Sequence, residues 1–565
     1  MQKRITRFSI VLLLALSLRL ILEPNAKSLA LYAQSTEHSQ TKPTVVLVRP
    51  AHWSKSLAEW KTYRSSEYQF SEVDSVGDSE LLRKQIAKAI SEGATPTAAI
   101  LLCGDATLEV APKQWRALTP GIVLDTQIQL GELTTKELCT DALYGDLDQD
   151  GCPDVAVGRL PAKTPEELTR MLRRSMDYEA IRPGPWNDTV HVTAGVGGFG
   201  YLADTAIETV TRRFLTEGIP SQFHMNVTVA SCTSSYCPNP WKLRESYIDR
   251  INQGGLFWVY IGHGQVQELD RYEVDGKWLP IGQPSDAARF RCQNRPPIAL
   301  MLACFTGAFD ARVDCFSESL LAQPNGPIAV ISGSRVTMPY GLSQLSSELL
   351  NGCFRDRIPT LGELLLQAKR RVWVDDETSS IPNDPDDRDQ PEVFDIRKRY
   401  RKIVTDMAHA LNPSDHDLTL ERREHVRLMN LLGDPLLKIP YPQPIEVNLP
   451  SKATSGERIK ISGQSAVSGR LIAEVSLVRD RVPQGVVPVR AYQGTEQENQ
   501  QMDRNYQTAN RLTVTSISQV IDAGRFEVEL QIPSDSSGRH VVSVYVYGDR
   551  EWSVGSQKLL VRKTP

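Results

Sequence analysis

The chain has 565 residues, 41% apolar and 23% charged, with a net charge of −4. That composition is ordinary for a soluble globular protein, and the near-balanced charge argues against a nucleic-acid partner. The length exceeds what one hydrophobic core organises, so two or three domains are expected.

The first residues read as an export signal. Lys3, Arg4 and Arg7 precede an apolar run from Phe8 to Ile21, and Ala33 offers a small residue for cleavage. Arg19 interrupts the run, which falls short of the roughly 20 residues a membrane span needs. Residues 1–33 are therefore expected to be a cleaved signal peptide rather than an anchor. Export would place the protein in a periplasm, at a cell surface or outside the cell, where disulfides are permitted. The nine cysteines are an odd number, so at least one thiol is free or intermolecular. Cys232 with Cys237, close together in a polar loop, is the first expected pair, and Cys139 with Cys152 the second.

From Thr44 strand and helix alternate. Val45 to Val48 and Ala98 to Leu102 read as strands, and Leu81 to Ile90 as a helix with apolar residues at helical spacing. An α/β subdomain is expected over residues 43–180. Within it, Asp146-x-Asp148-x-Asp150-Gly151 sets carboxylates at alternate positions before a turn glycine, the pattern of a loop that wraps a hard cation. Asp154 fits a later ligand position, but the twelfth position, where a bidentate glutamate is expected, holds Val157. Structural calcium on Asp146, Asp148 and Asp150, and a plain acidic turn before a strand, are both open readings. Thr164, Pro165 and Glu167 then have the spacing of a capped helix start.

Val190 to Ala194 reads as a strand, and Gly195 to Gly200 after it satisfies G-x-G-x-x-G. A dinucleotide site also needs an acid roughly 20 residues on. The next strand, Val227 to Ala230, ends in Ser231 and Cys232, so a glycine-rich loop at the sheet edge is the preferred reading. Trp241 to Ile251 has a helical apolar stripe.

Two apolar runs follow that are too short for helices and do not alternate with polar residues. Leu256 to Ile261 leads into Gly262-His263-Gly264, and Ile298 to Ala303 leads into Cys304. Such runs suit parallel strands covered on both faces, and ligands bind at the carboxyl ends of such strands. Neighbouring strands would bring His263 and Cys304 together, so that the imidazole takes the thiol proton and leaves a thiolate. Gly264 leaves room for a substrate carbonyl, and the N–H groups of Gly264 and Cys304 are candidates for an oxyanion hole. Either residue alone is more commonly structural; the ordered pair carries the reading.

The polar stretch 265–297 suits the rim of a cleft. Pro327 to Ile331 is a further buried strand ending near Arg335, which could meet a substrate acid or a core carboxylate. Residues 375–391 are acidic and proline-rich and read as a surface loop. His409, His416 and His425 lack a zinc spacing and are read as surface residues. Beyond Pro444 the period changes to two, with strands over 458–462, 469–478, 525–532 and 540–547. A β-sandwich of the immunoglobulin type is expected over 445–565, with 493–507 as a long polar loop.

Five segments carry a family resemblance: Tyr144-Gly145-Asp146 through Gly158-Arg159, Gly262-His263-Gly264, Ala303-Cys304 through Gly307, Cys315-Phe316-Ser317-Glu318-Ser319-Leu320, and Asn430-Leu431-Leu432-Gly433-Asp434-Pro435. In this order they resemble the gingipain-like cysteine peptidases, which have a caspase-like fold. The resemblance implies a mostly parallel sheet flanked by helices, with the catalytic subdomain over 181–440 and an immunoglobulin-like domain behind it. It implies an exported cysteine endopeptidase acting on proteins or peptides, with Cys304 as nucleophile, His263 as general base and acid, and no required cofactor. Asp154 matches the position where arginine-specific members carry a glutamate near the catalytic histidine, so a second role for it is to orient His263. Two rival functions remain open: a sortase-like transpeptidase acting on sorting signals, which shares the acyl-enzyme, and a non-enzymatic adhesin that uses the sandwich. Attachment at a cell surface is among the sandwich's expected roles.

Overall fold

The computed structural model describes residues 42–106, 118–128, 135–197, 218–292, 294–374, 405–406, 408–409 and 416–563. The expected signal peptide and the acidic stretch at 375–391 lie outside the described residues. Among the described residues, no helix is long and apolar enough to cross a membrane.

Ten strands build the central sheet: β1 (Thr44–Arg49), β2 (Gln69–Asp74), β3 (Thr97–Cys103), β4 (Ala156–Leu160), β5 (Thr189–Ala194), β6 (His224–Val229), β7 (Phe257–Ile261), β8 (Ile298–Leu302), β9 (Ala329–Gly333) and β10 (Met429–Leu432). Their order is β2-β1-β3-β4-β10-β9-β8-β7-β5-β6. Strands β1 to β4 and β10 run one way. Strands β5 to β9 run the other way, and the antiparallel β9–β10 pair is the seam. The unbroken apolar character of β8 has a direct cause. Ile298, Leu300 and Leu302 enter one core, while Ala299, Met301 and Ala303 enter another on the opposite face. A strand buried on both sides has no face left for polar residues.

Helices cover both faces: α1 (Ser79–Ser91), α2 (Pro165–Glu179), α3 (Leu243–Asn252), α4 (Phe316–Ala322), α5 (Pro339–Leu350), α6 (Leu361–Trp373) and α7 (Leu418–Leu428). Helix α2 begins as its sequence predicts. Thr164 accepts from the Glu167 N–H, and Pro165 occupies the first turn. The Glu167 carboxylate reaches back to the Lys163 N–H rather than to Thr164.

The N-terminal strands join the rest of the sheet at β4 and β10, where Leu432 pairs with Arg159. A Cβ on Gly158 would lie 2.7 Å from the Gly433 carbonyl oxygen, so the close crossing needs glycine. Buried charges brace the joint. Arg159, fully buried, makes two 2.6 Å bonds to Asp141 and donates to the carbonyls of Gly104, Thr119 and Pro120. Asp434 accepts from the Trp60 indole at 2.8 Å and lies 3.4 Å from Arg64. The Gly158-Arg159 and Gly433-Asp434 segments thus hold the sheet together. The sequence boundary between residues 180 and 181 falls inside one continuous sheet.

Beyond Gln443 the chain forms two facing sheets. One contains β11 (Arg458–Ser465) and β14 (Gly524–Gln531); the other has β12 (Gly469–Leu477), β13 (Thr513–Ile521), β15 (Gly538–Tyr547) and β16 (Trp552–Arg562). Ile459, Ile461, Phe526 and Val528 of the first meet Leu471, Ala473, Val542 and Val544 of the second in one core. The expected loop at 493–507 is instead a helix, α8 (Glu496–Ala509), opened by a Thr495–Glu498 capping box. Met502, Tyr506 and Ala509 are buried at helical spacing, a stripe too thin to stand out in so polar a segment.

This C-terminal part is joined to the sheet edge by apolar and polar contact alike. Tyr545, Tyr547, Trp552 and Val554 share a core with Val190, Phe223 and Met225. The Asn510 side chain accepts the Val227 N–H at 2.6 Å and donates to the Val227 carbonyl at 3.0 Å, so it closes the open edge of β6. His224 bridges Asp188 and Glu474 at 2.7 Å each. Burial alone would lower the pKa of His224, but the two carboxylates raise it to about 10.

All nine cysteines are free thiols, so neither expected disulfide is formed. Cys232 and Cys237 do lie together, in hydrogen-bond contact. Cys139 packs against Gly121, beside Phe309, whereas Cys152 is near Lys369; the two lie in different surroundings.

Candidate active site

The parallel register of β7 and β8 sets Ile261 opposite Leu302. His263 and Cys304 each stand two residues past that pair, so both leave the sheet at the same carboxyl edge in neighbouring positions. Both are half-buried. The two chains come so close there that a Cβ on Gly264 would lie 2.6 Å from the Cys304 carbonyl oxygen. Gly264 is thus required for the approach.

The chain reverses sharply after Cys304. Phe305 has φ +56°, a left-handed conformation that a bulky residue adopts only when its surroundings impose it. The Phe305 N–H donates to the Arg335 carbonyl at 3.0 Å, and the Gly307 N–H to the Gly333 carbonyl at 2.9 Å. The loop after β9 therefore clamps the loop after β8. It also touches the sulfur directly. The Thr337 N–H points at Cys304 Sγ at 3.3 Å. The Thr337 carbonyl oxygen lies 3.6 Å from the same sulfur, so both main-chain groups of Thr337 face it.

Arg335 itself is committed to a core carboxylate. Its guanidinium pairs with both oxygens of Asp310, at 2.8 and 2.5 Å. The same loop is held from behind by His425. The Met338 N–H donates to His425 Nε2 at 2.8 Å, and Nδ1 donates to the Glu421 carbonyl at 2.7 Å. That arrangement fixes the neutral tautomer. His425 is fully buried, not a surface residue; His416 pairs with Glu421, and His409 is exposed. A helix-borne histidine in a charged stretch carries no sequence signal of this contact.

The carboxylate beside His263 is Asp270. It accepts the Val196 N–H at 3.0 Å and the Arg271 N–H at 2.8 Å, and it faces His263. Burial pushes its pKa up, while the His263 charge and these main-chain N–H groups act to lower it. The Tyr260 hydroxyl donates to the His263 carbonyl at 2.8 Å and accepts from the Asp270 N–H at 3.1 Å, so it fastens the two loops together. Val196 belongs to the glycine-rich segment, whose described part, 195–197, therefore borders this site. Residues 198–200 of that segment lie outside the described residues.

Asp154 is not brought to His263. It precedes β4, and β4 is separated from β7 by four strand spacings, about 19 Å. Its carboxylate instead accepts the Leu147 N–H at 3.0 Å within the acidic loop. There Asp146, Asp148 and Asp154 each offer an oxygen within 4.8 Å of the others. Asp150 is not in that group; one of its oxygens accepts the Cys152 N–H at 2.7 Å. The cluster thus contains Asp154 where the sequence reading had Asp150.

Known proteins point the same way as the fold. The model of Peptidase family C25 matches residues 38–440. Lys-gingipain W83 of Porphyromonas gingivalis is 22% identical over 311 residues, which are 53% of this chain and 16% of that relative. The solved Arg specific cysteine proteinase gingipain R covers 93% of this chain and 99% of its own, at 14% identity and a TM-score of 0.49. A further solved protease covers 92% and 98%, at 14% identity and a TM-score of 0.51. The α/β fold is shared with that protease. The chain belongs to peptidase family C25.

Proposed function

We propose that this protein is an exported endopeptidase that cleaves proteins or peptides through a Cys304 thioester. The observation that supports the reading is the equal register of β7 and β8, which brings the His263 and Cys304 positions out at neighbouring places on the carboxyl edge of the sheet. His263 takes the Cys304 proton. The thiolate, faced by the Thr337 N–H, attacks the scissile carbonyl, and the Gly264 and Cys304 N–H groups hold the oxyanion. The protonated His263 then gives its proton to the leaving amine, and water completes hydrolysis of the thioester. No cofactor takes part in these steps. Asp270, not Asp154, is the positioning residue that stabilises the imidazolium.

The test is turnover of a peptide library by the wild type and by Cys304→Ala. The variant is expected to fold normally and lose all cleavage, and a thiol-reactive peptide inhibitor should label the wild type at Cys304. Cleavage that survives the substitution overturns the mechanism. Products lengthened by an added amine would instead assign acyl transfer.

A further inference from the structure

We propose that Cys232 and Cys237 form a thiol–disulfide exchange site, with Cys232 as the attacking thiol, Cys237 as the resolving thiol and a small-molecule disulfide as the oxidant. Of the nine thiols, only Cys232 and Cys304 are not buried. Cys304 is taken up by the proposed cleavage, and Cys232 has no part in it. Cys232 is in hydrogen-bond contact with the buried Cys237. The main chain holds the two together. The Val229 N–H donates to the Tyr236 carbonyl at 3.0 Å, the Ser234 N–H to the Ser231 carbonyl at 2.8 Å, and the Cys237 N–H to the Ser234 carbonyl at 3.1 Å. The chain thus doubles back between the two sulfurs, and little movement is needed to join them.

The two positions are unequal. The hydrogen bond with Cys237 lowers the pKa of Cys232, although burial opposes it. The same contact, together with burial, raises Cys237. The proton therefore stays on the inner sulfur, and the accessible one is the nucleophile. Its thiolate attacks the oxidant, breaks the S–S bond and releases one small thiolate. The Cys237 sulfur then attacks Cys232 and releases the second. The protons of both cysteines end on the two released thiols, so that two protein thiols are oxidised and one disulfide is reduced.

The closed pair would pin the surroundings of Asp270. The loop leaves β6 at the same sheet edge as His263 and Cys304, since β5, β6, β7 and β8 are parallel. The Ala230 N–H donates to the Ala194 carbonyl at 2.9 Å, two residues before the Val196 N–H that Asp270 accepts. On the other side, the Tyr272 hydroxyl donates to the Pro240 carbonyl at 2.8 Å, just past Cys237. Cys232 and Val196 both pack against the core that contains Cys237 and Tyr272.

The test uses the full chain carrying Cys304→Ala, so that oxidation of the proposed nucleophile cannot enter, with oxidised and reduced glutathione as probes. Millimolar oxidised glutathione should remove two alkylatable thiols and yield a peptide that links Cys232 to Cys237 by mass spectrometry. Excess reduced glutathione should restore both. Adding Cys237→Ser should stop the reaction with one glutathione on Cys232, whereas adding Cys232→Ser should leave Cys237 unmodified; circular dichroism checks that each variant folds. Amide hydrogen exchange over 194–196 and 270–272 should slow several-fold on closure. Failure to form the link in the folded chain overturns the site, glutathione on Cys237 rather than Cys232 overturns the roles, and unchanged exchange overturns the tie to Asp270. None of these results bears on whether Cys304 cleaves peptides.

Discussion

Replacing Asp270 by Asn should weaken catalysis through His263, and the equivalent change at Asp154 should not. The Asp270 carboxylate faces His263, and the two act on each other. Replacing it by an amide removes the negative partner that a transient imidazolium would use. Turnover should fall about 10- to 100-fold. Asp154 is four strand spacings from β7, about 19 Å away. Two charges at that distance interact by about 0.2 kcal/mol in water, and salt screens most of that. The assay is kcat/KM on a peptide substrate for both variants, with circular dichroism to check that each folds. Asp270→Asn should lose turnover, and Asp154→Asn should keep most of it. The reasoning is refuted if a folded Asp154→Asn loses as much turnover as Asp270→Asn, or if Asp270→Asn loses none.

Three further outcomes follow from contacts described above. Gly264→Ala should cost activity and about 1–3 kcal/mol of stability, because the new methyl meets the Cys304 carbonyl oxygen at 2.6 Å; denaturant melts and peptide turnover check both. His425→Phe keeps a ring but removes the acceptor of the Met338 N–H. It should lower kcat more than it raises KM and slow alkylation of Cys304, and unchanged alkylation would show that the loop holds itself. Ending the chain at residue 444 should yield an aggregating or inactive protein. It would bare the Phe223 and Met225 side of the core that Tyr545, Tyr547 and Trp552 cover, and it would remove Asn510 from the edge of β6. Even Trp552→Ala alone should cost about 3–5 kcal/mol.

The residues proposed to react were legible in the chain because short apolar runs can be recognised without knowing their partners. Ile298 to Leu302 had to be a strand covered on both faces, and a reactive residue at its end had to lie at the ligand edge. The capped start of α2, the period-two strands of the C-terminal part and the acidic loop were equally local. What the sequence could not decide was every relation that depends on strand order. Asp154 and His263 belong to segments that share one sheet, yet the seam at β9 and β10 puts four strand spacings between them. Asp270, only seven residues after His263, comes back to it through a Tyr260 hydroxyl that gave no sign of that role. Thr337 reaches Cys304 from the loop after β9, and His425 holds that loop from α7, separations that no spacing rule encodes. The helix Glu496–Ala509 was hidden for a related reason: its buried apolar stripe is only Met502, Tyr506 and Ala509 in an otherwise polar segment. Periodicity is set by which faces a segment buries and can be read along the chain. Side-chain partnerships at the site are set by which strands become neighbours, and that is decided only when the whole sheet forms.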